Sequence, residues 1–152
     1  MKTKKNKLDT PLRETILLWG IVSVSPMHKL VWDINHNLGF ELIREPLHLS
    51  HAVIDNPDAP TLVEEGEDTF PWFRFVDTLQ YYTIELIKNK SEISTFIPDM
   101  KMMDALLIVK GESLLFEKKK FHLQLNQVPG IQQAFEIPLE KIKSRHRYLL
   151  YS

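Results

Sequence analysis

The residues with the clearest capacity for chemistry are two closely spaced histidines near the middle of the chain. His48 and His51 are followed by Asp55 and Asp58, and imidazole and carboxylate groups are ligands for zinc and for harder metal ions. A zinc site needs three or four preorganised ligands, whereas this His-x-x-His pair supplies two in a stretch without helical or strand periodicity. Two solvated loop histidines are the simpler interpretation. A metal-dependent hydrolase using His48 and His51 stays as an alternative, and no metal or cofactor is predicted.

Other catalytic chemistry finds little support in the residue types. The chain has no cysteine, which excludes thiol nucleophiles, disulfides, iron–sulfur clusters and thiolate zinc sites. Its five glycines are not clustered into a phosphate-binding loop, and there is no Gly-x-Ser-x-Gly nucleophile elbow. No catalytic residue is therefore predicted, and a non-enzymatic role is favoured.

A group of aromatic residues suggests RNA binding as a further alternative. Trp72, Phe73, Tyr81 and Tyr82 could form a stacking platform on a sheet, with the basic chain ends holding phosphates. The aromatic recognition strand with flanking glycine and basic residues is missing, however, and the body of the chain is acidic. Cross-strand packing is the simpler explanation, so nucleic acid is not the favoured partner, and Trp72 and Tyr81 are predicted as possible contact residues.

Charge and composition divide the chain into a body and two basic ends. Residues 1–14 hold five basic and two acidic residues and residues 138–152 hold four and one, so each end is +3 and the body is −7 within a net charge of −1. We predict a disordered basic tail at 1–13 and a single domain at 14–152, with an acidic insertion at 46–70 and a basic C-terminal segment at 138–152. No apolar run is long enough to cross a bilayer and no signal-peptide core is evident, so a cytoplasmic location without membrane association is expected.

Hydrophobic patterning predicts the order strand, helix, strand, then antiparallel strands, then strand, helix, strand. Two stretches, 15–24 and 104–110, are apolar on both alternate sets of side chains and are typical of inner strands. Ser25 and Pro26 predict a helix start, and Gly39 predicts its end. The remaining predicted elements are strands at 40–44, 47–53, 72–76, 81–88, 93–96 and 131–137, a helix at 113–127 and a helical turn at 139–144.

This order predicts an α+β protein. Two helices would cover one face of a mainly antiparallel sheet, as in a ferredoxin-like two-layer sandwich with extra middle strands. In such a sandwich the inner strands should be polar on the open face, yet both inner strands are apolar on both faces. A cover is therefore expected from the acidic insertion, from the C-terminal tail or from a second copy of the chain, which predicts a homodimer or a self-covering flap.

One short motif carries a family resemblance. Residues 97–105 read Ile-Pro-Asp-Met-Lys-Met-Met-Asp-Ala, which resembles the signature of the IPExxxVDY family of small bacterial proteins. Ile97, Pro98 and Asp104 match identically, Asp99 stands for the glutamate, and Met103 and Ala105 replace the valine and the tyrosine. The likeness extends in order over most of residues 15–144, and it implies kinship without any known activity.

The motif also has a direct physical interpretation. Pro98 suits the first position of a helical turn, Asp99 is placed to favour the positive end of that turn, and Asp104 can accept backbone N–H groups where the strand begins. The functional alternative is that Asp99 and Asp104 form a carboxylate pair at a site. Taken together, the sequence predicts a small non-enzymatic binding protein that engages itself and a protein partner, or a small ligand held between sheet and flap. The residues to test are Ile97, Pro98, Asp99 and Asp104, with Trp72 and Tyr81.

Overall fold

A computed structural model describes residues 15–45, 70–91, 94–111, 117–143 and 146. Within these residues the chain forms six strands, two α-helices and two single 3₁₀ turns. The strands are β1 (Thr15–Val22), β2 (Ile43–Arg44), β3 (Trp72–Asp77), β4 (Tyr82–Lys88), β5 (Ala105–Gly111) and β6 (Gln133–Glu136). The helices are α1 (Met27–Leu38) and α2 (Lys118–Leu125), and the 3₁₀ turns are Pro98–Met100 and Leu139–Lys141.

The strands form one sheet in the order β2-β3-β4-β5-β1-β6, and every neighbouring pair is antiparallel. The two strands predicted to be internal, β1 and β5, lie side by side, with Leu18 opposite Ile108. The predicted α+β class and the predicted β3–β4 hairpin are confirmed. The ferredoxin-like arrangement stays a prediction.

Side chains of the inner strands point alternately to two buried faces. Leu107 and Val109 of β5 pack with Leu30 of α1 and Phe121 of α2, which defines the helix face of the sheet. The alternate residues of the same strand belong to a second apolar cluster, which defines the cover face; Ile108 is one of them. The expectation that both inner strands are buried on both faces is confirmed, because only a sheet covered on both sides accommodates such strands.

The cover face is closed by two pieces of the chain itself, residues 96–103 and 137–143, which we call the cover segments. Their side chains pack on the sheet together with Phe70; they are Phe96, Ile97, Met100, Met103, Ile137, Leu139 and Ile142. The segment at 96–103 was not among the three predicted covers, whereas 138–142 begins the predicted C-terminal segment and Phe70 ends the predicted insertion. Because the chain supplies this cover, the sheet-face argument for a homodimer loses its basis.

Both cover segments pack closely against Gly20 on β1. A Cβ added at Gly20 would lie 2.6 Å from Met103 and 2.7 Å from Ile137, one residue from each cover segment. Gly20 lies in the middle of the strand, where both cover segments approach it closely. The close approach is made by two side chains, and it needs the missing Cβ.

Helix α1 begins one residue later than predicted. Ser25 was expected to cap it, but the N-cap is Pro26, whose carbonyl accepts N–H groups from Lys29 and Leu30 at 3.1 and 3.0 Å. Pro26 is in an extended conformation, so the Ser25 side chain stands one position too early to cap. The predicted end is confirmed, since Gly39 adopts the left-handed conformation with φ 73°.

The strand predicted at 40–44 is shortened to two residues because a helix side chain occupies its backbone. Asn35 of α1 accepts the Leu42 N–H at 2.9 Å and donates to the Leu42 carbonyl at 3.3 Å. Those groups therefore do not join the ladder with β3. Similarly, no strand forms at 94–96: Lys90 and Thr95 make an isolated bridge, while Phe96 donates to Asn89.

Several predicted features fall wholly or partly outside the described residues. The tail at 1–13 and the strand at 47–53 lie outside them, as does most of the insertion at 46–70. The start of the second helix at Ser113 also lies outside, and its described part, α2, begins at Lys118 with Glu117 as N-cap.

Candidate binding site at the hairpin tip

The family-like motif is organised by a buried asparagine that the sequence did not single out. Asn89 follows β4 and is fully buried. Its side-chain amide donates to the carbonyls of Met100 and Met103 at 2.8 and 3.0 Å, and its side-chain oxygen accepts the Ile97 N–H at 3.0 Å. One side chain thus satisfies three backbone groups of the first cover segment. The sequence carries no local signal for this role of Asn89, because its partners lie eight to fourteen residues away.

Two motif residues have structural roles in the same segment. Ile97 is fully buried on the cover face, and Pro98 begins the 3₁₀ turn as predicted. Ile97 contributes to closing the sheet, whereas Pro98 is exposed and sets the start of the turn.

Asp99 joins the two cover segments. Its carboxylate accepts the Lys143 N–H at 2.6 Å and lies 3.2 Å from Nδ1 of His146. Burial alone would raise the pKa of Asp99, but the hydrogen bonds from Lys143 and His146 and their positive charge outweigh it and lower the pKa. Asp99 lies in the first turn of the 3₁₀ segment, as predicted, but its carboxylate bonds to Lys143 and His146 and makes no cap to that turn.

Asp104 connects the start of β5 to the end of β1. One carboxylate oxygen accepts the Ser23 N–H at 2.9 Å, and the other lies 3.2 Å from Nζ of Lys90. The predicted acceptance of a backbone N–H is confirmed, with a donor 81 residues away in sequence. Asp99 and Asp104 thus bind different segments, which favours the architectural interpretation over a shared carboxylate site.

The two aromatic residues predicted as contacts differ in solvent exposure. Trp72 is 7% exposed and packs on the cover face, so its ring is inaccessible to a partner. Tyr81 is 67% exposed at the connection between β3 and β4. Of the pair, only Tyr81 is positioned for contact.

The β3–β4 connection, residues 77–82, is a rigid hairpin tip. One Asp77 carboxylate oxygen accepts the N–H groups of Leu79 and Gln80, both at 3.0 Å, and the Asp77 carbonyl accepts that of Tyr81 at 2.9 Å. Tyr81 has φ 62° and is the one non-glycine residue with a positive φ among the described residues. Leu79 is 86% exposed. The hairpin tip therefore holds two large side chains in solvent on a fixed backbone.

The hairpin tip packs closely against Gly111 at the end of β5. Gly111 has φ 147°, and a Cβ there would lie 2.5 Å from the Tyr81 carbonyl oxygen and 2.8 Å from Cα of Tyr82. A side chain at position 111 would collide with backbone, which cannot move aside cheaply. Gly111 thus fixes the hairpin tip against the sheet.

A cleft of about 300 Å³, the hairpin cleft, opens between the tip and the two helices. Its lining residues come from α1, the tip and α2, and they are Leu38, Phe40, Gln80, Tyr82, Glu117, Lys120, Phe121 and Gln124. Phe40 stacks on Phe75 at 5.6 Å and lies 6.0 Å from Phe121, which gives the cleft an aromatic floor. Burial, followed by the adjacent hydrogen-bonded Asp77 carboxylate, raises the pKa of Tyr82, so its phenol stays protonated.

The metal hypothesis rests on residues outside the described part of the chain, where His48, His51, Asp55 and Asp58 all lie. Among the described residues, no group of three or more histidine, aspartate and glutamate side chains is placed to hold a metal ion. Neither helix of the described chain is long and apolar enough to cross a membrane.

Comparisons of the chain with protein-family models, with curated proteins and with solved structures found no match. The resemblance to the IPExxxVDY family therefore stays a prediction.

Proposed function

We propose that this protein is a small non-enzymatic binding domain that engages a protein partner through its hairpin tip and the adjacent hairpin cleft. The observation that carries the proposal is the exposure of Leu79 and Tyr81 on a backbone held by Asp77 and Gly111. Large side chains of this kind supply much of the affinity in protein interfaces when they enter a partner's pocket.

The backbone of the hairpin tip supports the same function. A left-handed conformation costs a non-glycine residue about 1–2 kcal/mol, and such strain is concentrated at functional sites. Tyr81 does not recover this cost through burial, because most of its side chain is in solvent. A rigid loop loses little conformational entropy on association, so a partner would gain from the fixed tip.

The lining of the hairpin cleft suits binding more than catalysis. The side-chain amides of Gln80 and Gln124 line the hairpin cleft together with the Phe40 and Phe121 rings and can hydrogen-bond a partner. The described lining residues include no serine, threonine or histidine that could form a nucleophile and base pair. A partner side chain could enter the cleft while the tip contacts the surrounding surface.

The two alternatives from the sequence are less well supported by the geometry. RNA binding through the sheet requires an open aromatic face, whereas Trp72 and Phe73 are buried under the cover and the helices. The hydrolase alternative depends on His48 and His51, which lie outside the described residues.

Affinity capture from the protein's own host tests the proposal with matched variants. Tagged wild type would be compared with Leu79→Ser, Tyr81→Gly and the control Met102→Ser, which changes a side chain of similar exposure on a cover segment. We expect a co-purifying protein that is depleted at least about tenfold by each tip variant and retained by the control. The same proteins with all four baits, or nucleic acid alone, would overturn the proposal. If the captured protein is a second copy, light scattering will show a dimer that the tip variants dissociate.

A further inference from the structure

The outer surface of the two helices, which we call the helix layer, is basic in a protein whose body is acidic. Helices α1 and α2 contact each other, and together they contain one acidic residue, Asp33. Asp33 is buried and paired with Lys29 at 3.2 Å, so it presents no charge to solvent. All exposed ionisable side chains on these two helices are basic.

Two lysines of the helix layer are available for a partner. Lys118 pairs with Glu136 of β6 at 3.0 Å. Lys119 and Lys120 follow it on α2, both exposed, and neither makes an ion pair with a described residue. Glu117 borders the layer just before α2 begins, so the positive charge is concentrated on α2 beyond that point.

An exposed tryptophan stands on α1 in the same layer. Trp32 is 60% exposed. The His36 ring stacks on it at 4.8 Å with an interplanar angle of 8°, and Nζ of Lys29 lies 5.9 Å from its ring centre. His36 comes from the following turn and Lys29 from the preceding turn, so part of the Trp32 ring is already in contact with its own helix.

We propose that the helix layer is a docking surface for an acidic protein segment, with Lys119 and Lys120 contacting its carboxylates and the Trp32 edge contacting an apolar side chain. Charge complementarity selects the acidic partner, because nothing acidic on either helix opposes it. A nucleic acid is the weaker fit, since bases bind such surfaces by stacking on ring faces and the His36 ring already stacks on Trp32.

Fluorescence anisotropy on the purified full chain tests this directly. The probes are a fluorescein-labelled peptide of about 12 residues made of glutamate, leucine and phenylalanine, and a labelled oligouridylate of similar length. The variants are Trp32→Ala, Lys119→Glu with Lys120→Glu, and the control Lys101→Glu with Lys141→Glu. The control makes the same change in net charge on the two cover segments, across the sheet from the helix layer.

We expect the peptide to bind, to weaken as salt is raised, and to bind at least about tenfold more weakly to the Lys119/Lys120 variant and to Trp32→Ala. The control should keep the affinity of the wild type. Circular dichroism checks that each variant is folded, and Trp32→Gln replaces Trp32→Ala if the latter is not.

Four results would overturn the proposal: no peptide binding, tighter binding of oligouridylate than of peptide, equal loss in the Lys101/Lys141 control, or loss of peptide binding in Tyr81→Gly. The last result would locate the peptide at the hairpin tip. Trp32→Ala and Tyr81→Gly separate this inference from the proposed function, because Lys120 also lines the hairpin cleft whereas Trp32 does not.

Discussion

Replacing Tyr81 by glycine should stabilise the protein while removing its most exposed aromatic contact. Tyr81 is held at φ 62°, where a side chain with a Cβ is strained by about 1–2 kcal/mol and glycine is not. Glycine adds about 0.5–1 kcal/mol of unfolded-state entropy in return. The net gain is about 0.5–1 kcal/mol, which for a chain of this length raises Tm by about 1–4 °C.

The alanine variant separates backbone strain from side-chain contacts. Tyr81→Ala keeps the Cβ and hence the strain, and it loses only the small buried part of a side chain that is 67% exposed. Its stability should equal that of the wild type or fall slightly below it. The glycine variant should therefore exceed the alanine variant by about 1 kcal/mol.

Urea unfolding with thermal melts on the three proteins measures these differences. A glycine variant that is less stable than the alanine variant would refute the reasoning, because it would mean that Tyr81 does not adopt a left-handed conformation in solution. In that case the rigid hairpin tip, and the binding role built on it, would lose their physical support.

Three further predictions concern the cover and the buried charges. Asn89→Ala should lower the free energy of unfolding by about 2–4 kcal/mol, because it leaves three backbone groups without their partner. The control Asn126→Ala breaks comparable bonds to Ala134 at a half-buried position and should cost less. Urea unfolding measures both variants. Asp99 has a lowered pKa in the folded state, so the stability it contributes is complete above its unfolded pKa and is lost as the pH falls from about 5 toward 2. The difference in unfolding free energy between wild type and Asp99→Asn should therefore shrink over that range. A constant difference would contradict the coupling of Asp99 to Lys143 and His146. Glu85→Gln should lower the free energy of unfolding by about 3 kcal/mol, because Lys110 is buried and its ammonium, 3.1 Å from the Glu85 carboxylate, loses this counter-charge. The double variant Glu85→Met with Lys110→Met should recover most of the loss in the same assay.

The elements that could be predicted from the sequence are those with local causes. Alternation and apolar runs identified β1, β5 and the hairpin strands, and Gly39 marked the end of α1 because a left-handed C-cap favours glycine. The predicted boundaries of an element were wrong where a side chain from another element bonded to its backbone. The Asn35 side chain hydrogen-bonds the Leu42 N–H and carbonyl, so β2 does not extend to Leu42. No periodic pattern in the sequence marks this contact.

The candidate site was predictable in part. Tyr81 was predicted as a contact residue together with Trp72, but its left-handed backbone leaves no trace in the residue type. Asp77 could have been recognised, since an aspartate that opens a tight turn commonly accepts N–H groups two and three residues later. Trp72 was indistinguishable from Tyr81 in the sequence, because which of two hairpin aromatics is buried depends on the cover segments.

The cover also changes what the family-like motif means. Ile97 and Pro98 build the first cover segment, Asp99 ties it to the second, and Asp104 binds the end of β1. The first three act on one sheet face, and Asp104 ties β5 to β1. With the opposite face packed against α1 and α2, neither face of the inner strands is open to a ligand. The proposed binding role would then use parts that project beyond the sheet. The described chain offers two of these, the hairpin tip and the helix layer, and Lys120 and Gln80 bring them together at one cleft.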